Sequence, residues 1–477
     1  MIDNISSKNK YLSERAQHWD KIANRSFSNF SSYYHRYLER VYQYNIPPGL
    51  RVLEIGCGKG DLLASVDPGE GLGIDLSGEM IRQARERHAR LRFHHDPGEV
   101  AQLKGTFDVI ILSDLLNDVW DVQELLANLR QHCDDSTRIV INVYSKLWQP
   151  FIWLARKSGL TAPLLPQNWL TVEDLKNLLS LAGFDTVQTS SEIVLPVYVP
   201  FVSYLANRYL AKIFPFRFFC LTNVLVARKE PALDTLPAKP LVSVIVAARN
   251  EEGHIADIFK RTPEMGGGTE LIFVEGGSID ETFETIQKEI KKHPEKRSSV
   301  YQQKGKGKGD AVRLGFSKAS GDILMILDAD MTVPPENLPL FYNALVGGKG
   351  EFINGVRLVY PMESEAMRFW NIVGNKFFSL AFTWLVGQPI KDTLCGTKVL
   401  TKSNYKKIAA NRAYFGEFDP FGDFDLIFGA AKQNLKIIDL PIRYRDRHYG
   451  DTNISRWRHG MILLRMVVFA ASKIKFY

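Results

Sequence analysis

The sequence predicts two α/β units in tandem, and three observations carry that expectation. The chain has 477 residues, more than one ordinary hydrophobic core serves. Short β-branched runs alternate with helical stretches in both halves, the pattern of open sheets with parallel strands. Each half also opens alike, with an apolar strand, a turn of small or polar residues, and a helix. Between them, residues 230–240 (EPALDTLPAKP) hold three prolines and no helical or strand period, which reads as a linker. The expected domains are therefore 1–229 and 241–477.

Composition narrows the function classes. Hydrophobic residues at 45% and charged residues at 24% fit a folded chain. Cys57, Cys133, Cys220 and Cys395 form no CxxC pair, which argues against a disulfide framework or structural zinc and suits a reducing cytosol. The opening residues, MIDNISSKNKYLSERAQHWD, lack an apolar core, so no secretory signal is expected. The longest apolar runs, Phe377–Gly387 and Met461–Ser472, fall short of the ~20 residues a spanning helix needs. From Lys436 to Tyr477 nine Lys/Arg face three Asp/Glu, within a formal net charge of +7. A basic, aromatic-rich end of this kind suits anionic lipid or a phosphate-bearing substrate. No nucleic-acid-binding motif is present, and no nucleic-acid partner is expected.

In the first half, Arg51–Leu62 reads RVLEIGCGKGDL. A strand, Val52–Ile55, runs into Gly56, Gly58 and Gly60, after which Asp61 starts a helix. Glycines at alternate positions let the chain turn sharply and bring main-chain amides against a ligand. The spacing is not the G-x-G-x-x-G of dinucleotide sites. A second strand, Gly71–Ile74, ends in Asp75, placed to accept hydrogen bonds from both hydroxyls of a ribose. A third, Leu91–His95, ends in Asp96, and a fourth, Phe107–Leu112, leads into Ser113 and Asp114. His94 and His95 are available either as a base or as structural groups.

From Trp19 to Arg228 these features resemble the class I S-adenosylmethionine (SAM)-dependent methyltransferases, with Glu54 as the acid that leads the glycine motif. The resemblance implies a Rossmann-like domain. It implies that Gly56, Gly58 and Gly60 line the methionine and ribose of SAM, that Asp75 holds the ribose and Asp96 the adenine amino group, and that Asp114 lies toward the substrate. The Trp148–Phe219 region, rich in Leu, Phe, Trp and Pro, reads either as a lid admitting a lipid acceptor or as core and domain interface.

The second half opens on an apolar strand in Leu241–Glu252 (LVSVIVAARNEE), and Leu271–Thr282 repeats the device with Glu275 at the strand end. After Lys308 and a helix over Asp310–Ala319 comes Asp322–Asp330, DILMILDAD. Asp328 and Asp330 flank one small residue directly after a buried strand. Two hard oxygen ligands in that arrangement suit Mg²⁺ or Mn²⁺ bridging a diphosphate.

From about Leu241 to about Arg458 the chain resembles family 2 glycosyltransferases of the GT-A fold, most of all the dolichyl- or polyprenyl-phosphate sugar transferases. The resemblance implies that Ala248, Arg249, Glu251 and Glu275 contact the nucleotide of a nucleotide-sugar donor. It puts Lys308 near the diphosphate and the metal on Asp328 and Asp330, with inversion at the anomeric carbon. Val274–Ser278 keeps one acid where the family commonly has two, and Thr452-Asn453 replaces the family's Ser-Lys. Arg357, Lys398, Arg445 and Arg447 are the candidate cations for an acceptor phosphate. Asp423 and Asp425 are the candidate bases if the acceptor is a sugar hydroxyl.

Two readings stand. One is a bifunctional enzyme that glycosylates a lipid-linked or glycan acceptor and methylates in the same pathway. The other is a glycosyltransferase whose first half binds SAM or docks without turnover. Either would sit in the cytoplasm, peripheral on the cytoplasmic face of the membrane, with contact expected through Phe377–Gly387 or a C-terminal helix over Trp457–Phe476.

Overall fold

A computed structural model of the chain describes residues 2–24, 29–96, 103, 105–157, 165–231, 239–357, 369–393, 395–415, 422–442 and 456–477. Two compact units result, Met1–Glu230 together with Phe476–Tyr477, and Pro231–Lys475. Residues 232–238 of the expected linker lie outside the described residues, as do Arg445 and Arg447.

The first unit is built on strands β1 (Arg51–Ile55), β2 (Glu70–Asp75), β3 (Arg92–His95), β4 (Val109–Ser113), β5 (Arg138–Tyr144), β6 (Phe184–Glu192) and β7 (Thr222–Lys229). Their order is β3-β2-β1-β4-β5-β7-β6. Central strands covered on both faces read as continuous apolar runs, as RIVINVY in β5 does. Successive residues then serve opposite faces. Leu53, Ile55, Ile110 and Ile139 join one buried cluster, while Val52, Val109, Ile111 and Val140 join another. Tyr477 belongs to this unit: its ring stacks on Tyr44 with centroids 3.8 Å apart and planes 2° apart.

The second unit carries β8 (Val242–Ala248), β9 (Thr269–Glu275), β10 (Arg297–Gln302), β11 (Ile323–Asp328), β12 (Phe352–Val356), β13 (Lys398–Thr401) and β14 (Ile437–Pro441). The order is β10-β9-β8-β11-β13-β12-β14. Its core packs Val244, Val246, Phe259, Phe273, Met325 and Leu327.

Both sheets are mixed, with antiparallel strands beside the expected parallel ones. β7 runs antiparallel to β5 and β6, and β13 antiparallel to β11 and β12. A parallel neighbour needs a crossover, usually a helix of several turns. Between β6 and β7 the longest helix is Val202–Arg208, so the chain returns antiparallel beside its predecessor. All of the Phe377–Gly387 run but Gly387 lies in the helix Phe369–Val386, and the helix expected at the C-terminus spans Arg456–Ala470, followed by a π-helical turn over Ala471–Lys475. Among the described residues no helix is long and apolar enough to cross a membrane.

Candidate functional sites at two sheet edges

In the first unit the loop after β1 takes a conformation that only glycine adopts cheaply. Gly56, Gly58 and Gly60 have φ of 74°, 50° and 77°. A side chain at Gly60 would also strike the Phe93 ring, and one at Gly56 would lie 2.8 Å from Leu115. The loop is gripped by Asp75: Oδ2 accepts from the Gly58 amide and Oδ1 from the Ser77 amide, both at 2.8 Å. Burial pushes the Asp75 carboxyl above its usual range, against the pull of those two amides. Behind the loop Glu54 is 2% exposed, and burial raises its carboxyl well above the usual carboxylate range.

A cavity opens between this loop and the N-terminal helix, lined by Leu12, Arg15, Ile55, Gly56, Asp75 and Leu115 among others. Arg15 Nε donates to Asp118 Oδ1 at 2.9 Å, and the Trp19 indole donates to Asp118 Oδ2 at 2.7 Å. These partners hold the helix Ile2–Ala23 over the cavity, and sequence reasoning missed them. Their signal was a cation and an indole four residues apart on one helix face. Asp96, half-buried just past β3, donates its amide to the Asp75 carbonyl at 3.0 Å. His94 is exposed, and the His95 ring bonds the Leu76 carbonyl at 3.0 Å, a structural tie.

Asp114 follows β4 with φ of 51°. Its Oδ1 accepts from the Tyr34 hydroxyl at 2.9 Å and from Asn142 Nδ2 at 2.6 Å. Asn142 Oδ1 in turn accepts from the Tyr42 hydroxyl at 2.7 Å. Burial pushes the Asp114 carboxyl up to about 7, although Tyr34, Asn142 and Tyr144 stabilise its charge. A carboxyl titrating near neutrality can take a proton from an acceptor.

In the second unit the loops after β8 and β9 interlock. Asn250, at φ of 58°, donates its amide to Ser278 Oγ at 3.0 Å and accepts from the Ile279 amide at 2.9 Å. Glu251 donates its amide to Thr282 Oγ1 at 3.0 Å, Glu275 accepts from the Ser278 amide, and Ala248 accepts from the Gly276 amide at 3.0 Å. Arg249 is exposed at the lip.

At the end of β11, Lys308 Nζ lies 2.6 Å from Asp328 Oδ1. Burial raises the Asp328 carboxyl, but Lys308, Arg357 and Lys398 outweigh it and hold the group below its usual range. Asp330 Oδ1 accepts from the Thr332 amide and hydroxyl at 3.1 and 2.9 Å. The backbone of Gly396 presses on this pair, so that a side chain there would collide with both Asp328 and Lys308. Gly309 and Gly422 meet backbone to backbone, bringing the start of the helix Asp423–Lys432 against the start of the helix Lys308–Lys318. Of Asp423 only this backbone position is described.

Three expected groups are committed to protein partners. Arg357 is gripped by Asp392 through two contacts, Nε to Oδ2 at 2.7 Å and Nη2 to Oδ1 at 2.9 Å. Lys398 is fully buried and donates to the Cys395 carbonyl. Neither is therefore an open cation, because a buried charge must be paired. Asp425 accepts from Arg412 Nε at 2.8 Å, an ion pair at a buried helix face.

Among the described residues no three His, Cys, Asp or Glu gather to hold a metal alone. Asp328 and Asp330 supply two carboxylates, a set that fits a hard cation sharing its other positions with phosphate oxygens and water.

Two family models match separate stretches of the chain. A sequence model of "Glycosyl transferase family 2" matches residues 243–402, and one of a "Methyltransferase domain" matches residues 27–189. The chain is 36% identical to the dolichol-phosphate mannosyltransferase of Pyrococcus furiosus over 220 residues, 45% of this chain and 59% of that protein. It is 27% identical to glycosyltransferase AglJ of Haloferax volcanii over 48% of this chain and 71% of that one. It is 25% identical to an undecaprenyl-phosphate 4-deoxy-4-formamido-L-arabinose transferase of Pseudomonas aeruginosa, over 46% of this chain and 61% of that one. The chain thus spans 59–71% of the length of these relatives. Among solved structures it is similar to magnesium protoporphyrin IX methyltransferase of Synechocystis with bound SAH, at 19% identity and a TM-score of 0.32, covering 47% of this chain and 99% of that one. It is also similar to glucosyl-3-phosphoglycerate synthase of Mycobacterium tuberculosis with Mn²⁺, UDP-glucose and phosphoglyceric acid, at 18% identity and a TM-score of 0.38, covering 51% and 82%.

Proposed function

Because the chain joins a methyltransferase domain to a family 2 glycosyl transferase domain, we propose that it is a bifunctional enzyme. The second unit transfers a sugar from a nucleotide-sugar to a lipid-linked acceptor, a polyprenyl phosphate in the first instance. The first unit methylates a sugar or lipid of the same pathway with SAM. The names of the curated relatives, two of them polyprenyl-phosphate sugar transferases, support this acceptor class.

The observation that carries the sugar-transfer reading is the contact of Lys308 with Asp328 beneath the Gly396 backbone. In this reading the interlocked loops present Arg249, Glu251 and Glu275 to the nucleotide. Asp328 and Asp330 would hold a divalent cation, which supplies Lewis-acid neutralisation of the nucleoside diphosphate. Lys308 adds a fixed positive charge beside the same carboxylate. An acceptor phosphate is anionic at neutral pH and needs orientation more than deprotonation. Asp423 becomes the base only for a hydroxyl acceptor. In the first unit Asp75 and the glycine loop take SAM, and Asp114 faces the methyl acceptor.

The test is product mass. The full chain is incubated with a short-chain polyprenyl phosphate, Mn²⁺, SAM and each of UDP-, GDP- and dTDP-sugars. With one of these donors a polyprenyl-phosphate sugar is the expected product, the nucleoside diphosphate being released, and a methylated pathway lipid is expected with SAM. Sugar transfer with no methylation of any lipid or glycan would leave the first unit a SAM-binding or docking module.

A further inference from the structure

Two segments of the first unit, 146–157 and 193–219, form an apolar face that neither transfer reaction explains. Its side chains are large and open to solvent: Phe201 is 86% exposed, Phe214 71%, Phe151 63%, Phe219 61% and Trp153 60%. Scattered exposed hydrophobics are ordinary, but a continuous patch marks a binding surface. The segments are joined directly, since the Trp148 indole donates to the Phe219 carbonyl at 2.9 Å.

The charge on this face has one sign. Across the two segments the sequence places six Lys/Arg and no Asp/Glu. One of the six, Lys212, is buried in a pair with Glu192. Others lie over exposed rings: Lys157 Nζ is 5.3 Å from the Trp153 centroid, the Arg217 guanidinium 5.2 Å from Phe218, and that of Arg208 5.3 Å from Tyr204. Aromatic rings paired with cations suit the headgroup level of a bilayer, where ring bodies reach the acyl boundary and cations meet lipid phosphates.

The face also leads to the candidate methyl-acceptor site. Beneath it Tyr34, Leu38, Ile193 and Leu221 form one cluster with Tyr144, Trp148 and Ile152 packed on it. That Tyr34 is the residue whose hydroxyl donates to Asp114. We infer that the 146–157/193–219 face of the first unit docks in the headgroup region of an anionic membrane, so that the methyltransferase unit meets a lipid-borne acceptor there. A second copy of the chain is disfavoured as occupant, because a twofold contact would set this cationic face against itself.

The test uses the full chain and flotation with vesicles of phosphatidylcholine alone or with one quarter phosphatidylglycerol. Neither reaction is read, so failure here is distinct from failure of the proposed activities. The wild-type chain floats with anionic vesicles and is released by salt. F151S/W153S/F214S lowers that binding at least tenfold while SAM affinity by calorimetry is unchanged. K157E/R217E, confined to exposed side chains, lowers anionic binding by a similar factor and serves if the triple variant fails to fold. Hydrogen exchange on the wild-type chain shows vesicle-dependent protection within 201–219. Wild-type flotation of both variants overturns the inference, as does a loss of flotation in F377S/L380S with the first-unit variants unaffected. Concentration-dependent dimers abolished by the triple variant, with no vesicle binding, overturn it in favour of a self-contact.

Discussion

The Lys308 amine lies 2.6 Å from Oδ1 of Asp328, at the point where β11 leaves its sheet. The amine beside it helps hold the Asp328 carboxyl below its usual range. Lys308→Met removes the cation while keeping the stem. Sugar transfer should fall by about 10²–10³, as for loss of one charge-stabilising group at a reacting centre. SAM binding should be unchanged, and undiminished transfer would remove Lys308 from the site.

Asp330→Asn keeps the acceptor for Thr332 and removes the charge a cation requires. Transfer should again fall by about 10²–10³, and excess chelator should abolish it in the wild-type chain. Full activity in chelator would leave a metal-free mechanism resting on Lys308.

Asp75→Ala frees the amides of Gly58 and Ser77 together. Each lost partner costs roughly 1–3 kcal/mol, so SAM affinity by calorimetry should weaken tenfold or more. Unchanged affinity would mean that the glycine loop holds its shape, and its ligand, without Asp75.

Asp114 gives the methyltransferase unit a pH signature. Its carboxyl, pushed by burial up to about 7, starts from an ordinary value of 3.8. The folded chain therefore binds this proton more tightly than the unfolded one, and the resulting stability is full below about pH 4 and gone above about pH 7. Asp114→Asn should accordingly gain melting temperature relative to wild type between pH 5 and pH 8. Methyl transfer by the wild-type chain should rise through pH 7 as the base deprotonates, and the variant should lose that rise. A melting difference independent of pH would contradict the assignment.

The two acids in the first turn of the helix Asp423–Lys432 should separate by experiment. Asp425→Asn breaks the contact with Arg412 at 2.8 Å and should lower the melting temperature with the Michaelis constant unchanged. Asp423→Asn should lower turnover on a hydroxyl acceptor at constant stability. The opposite pattern would exchange their roles.

What could be read from the sequence was local in the chain. The glycine loop, the strand-end acids and the Asp328–Asp330 pair each lie within a few residues of a buried strand, where period and turn chemistry fix their position. Partners supplied from afar were not legible. Asn142 and Tyr34 reach Asp114 from separate elements, and Asp392 claims Arg357 from 35 residues away. Antiparallel β7 and β13 were missed for a related reason: an apolar run does not state its direction. Burial was not legible either: Lys398, a candidate cation for an acceptor phosphate, is fully buried and donates to the Cys395 carbonyl.

The first unit is discontinuous in the chain, because Phe476 and Tyr477 belong to it while Pro231–Lys475 form the other. A ribosome that has passed residue 230 has made every strand of the first sheet, yet not the ring that stacks on Tyr44 nor the hydroxyl that donates to Glu192 at 3.3 Å. At ordinary synthesis rates the second unit delays that ring by on the order of 10–50 s. During this interval the nascent first unit exists without its last stack. Its completion follows synthesis of the whole second unit, which ties the final packing of the first unit to the presence of the second on the same polypeptide.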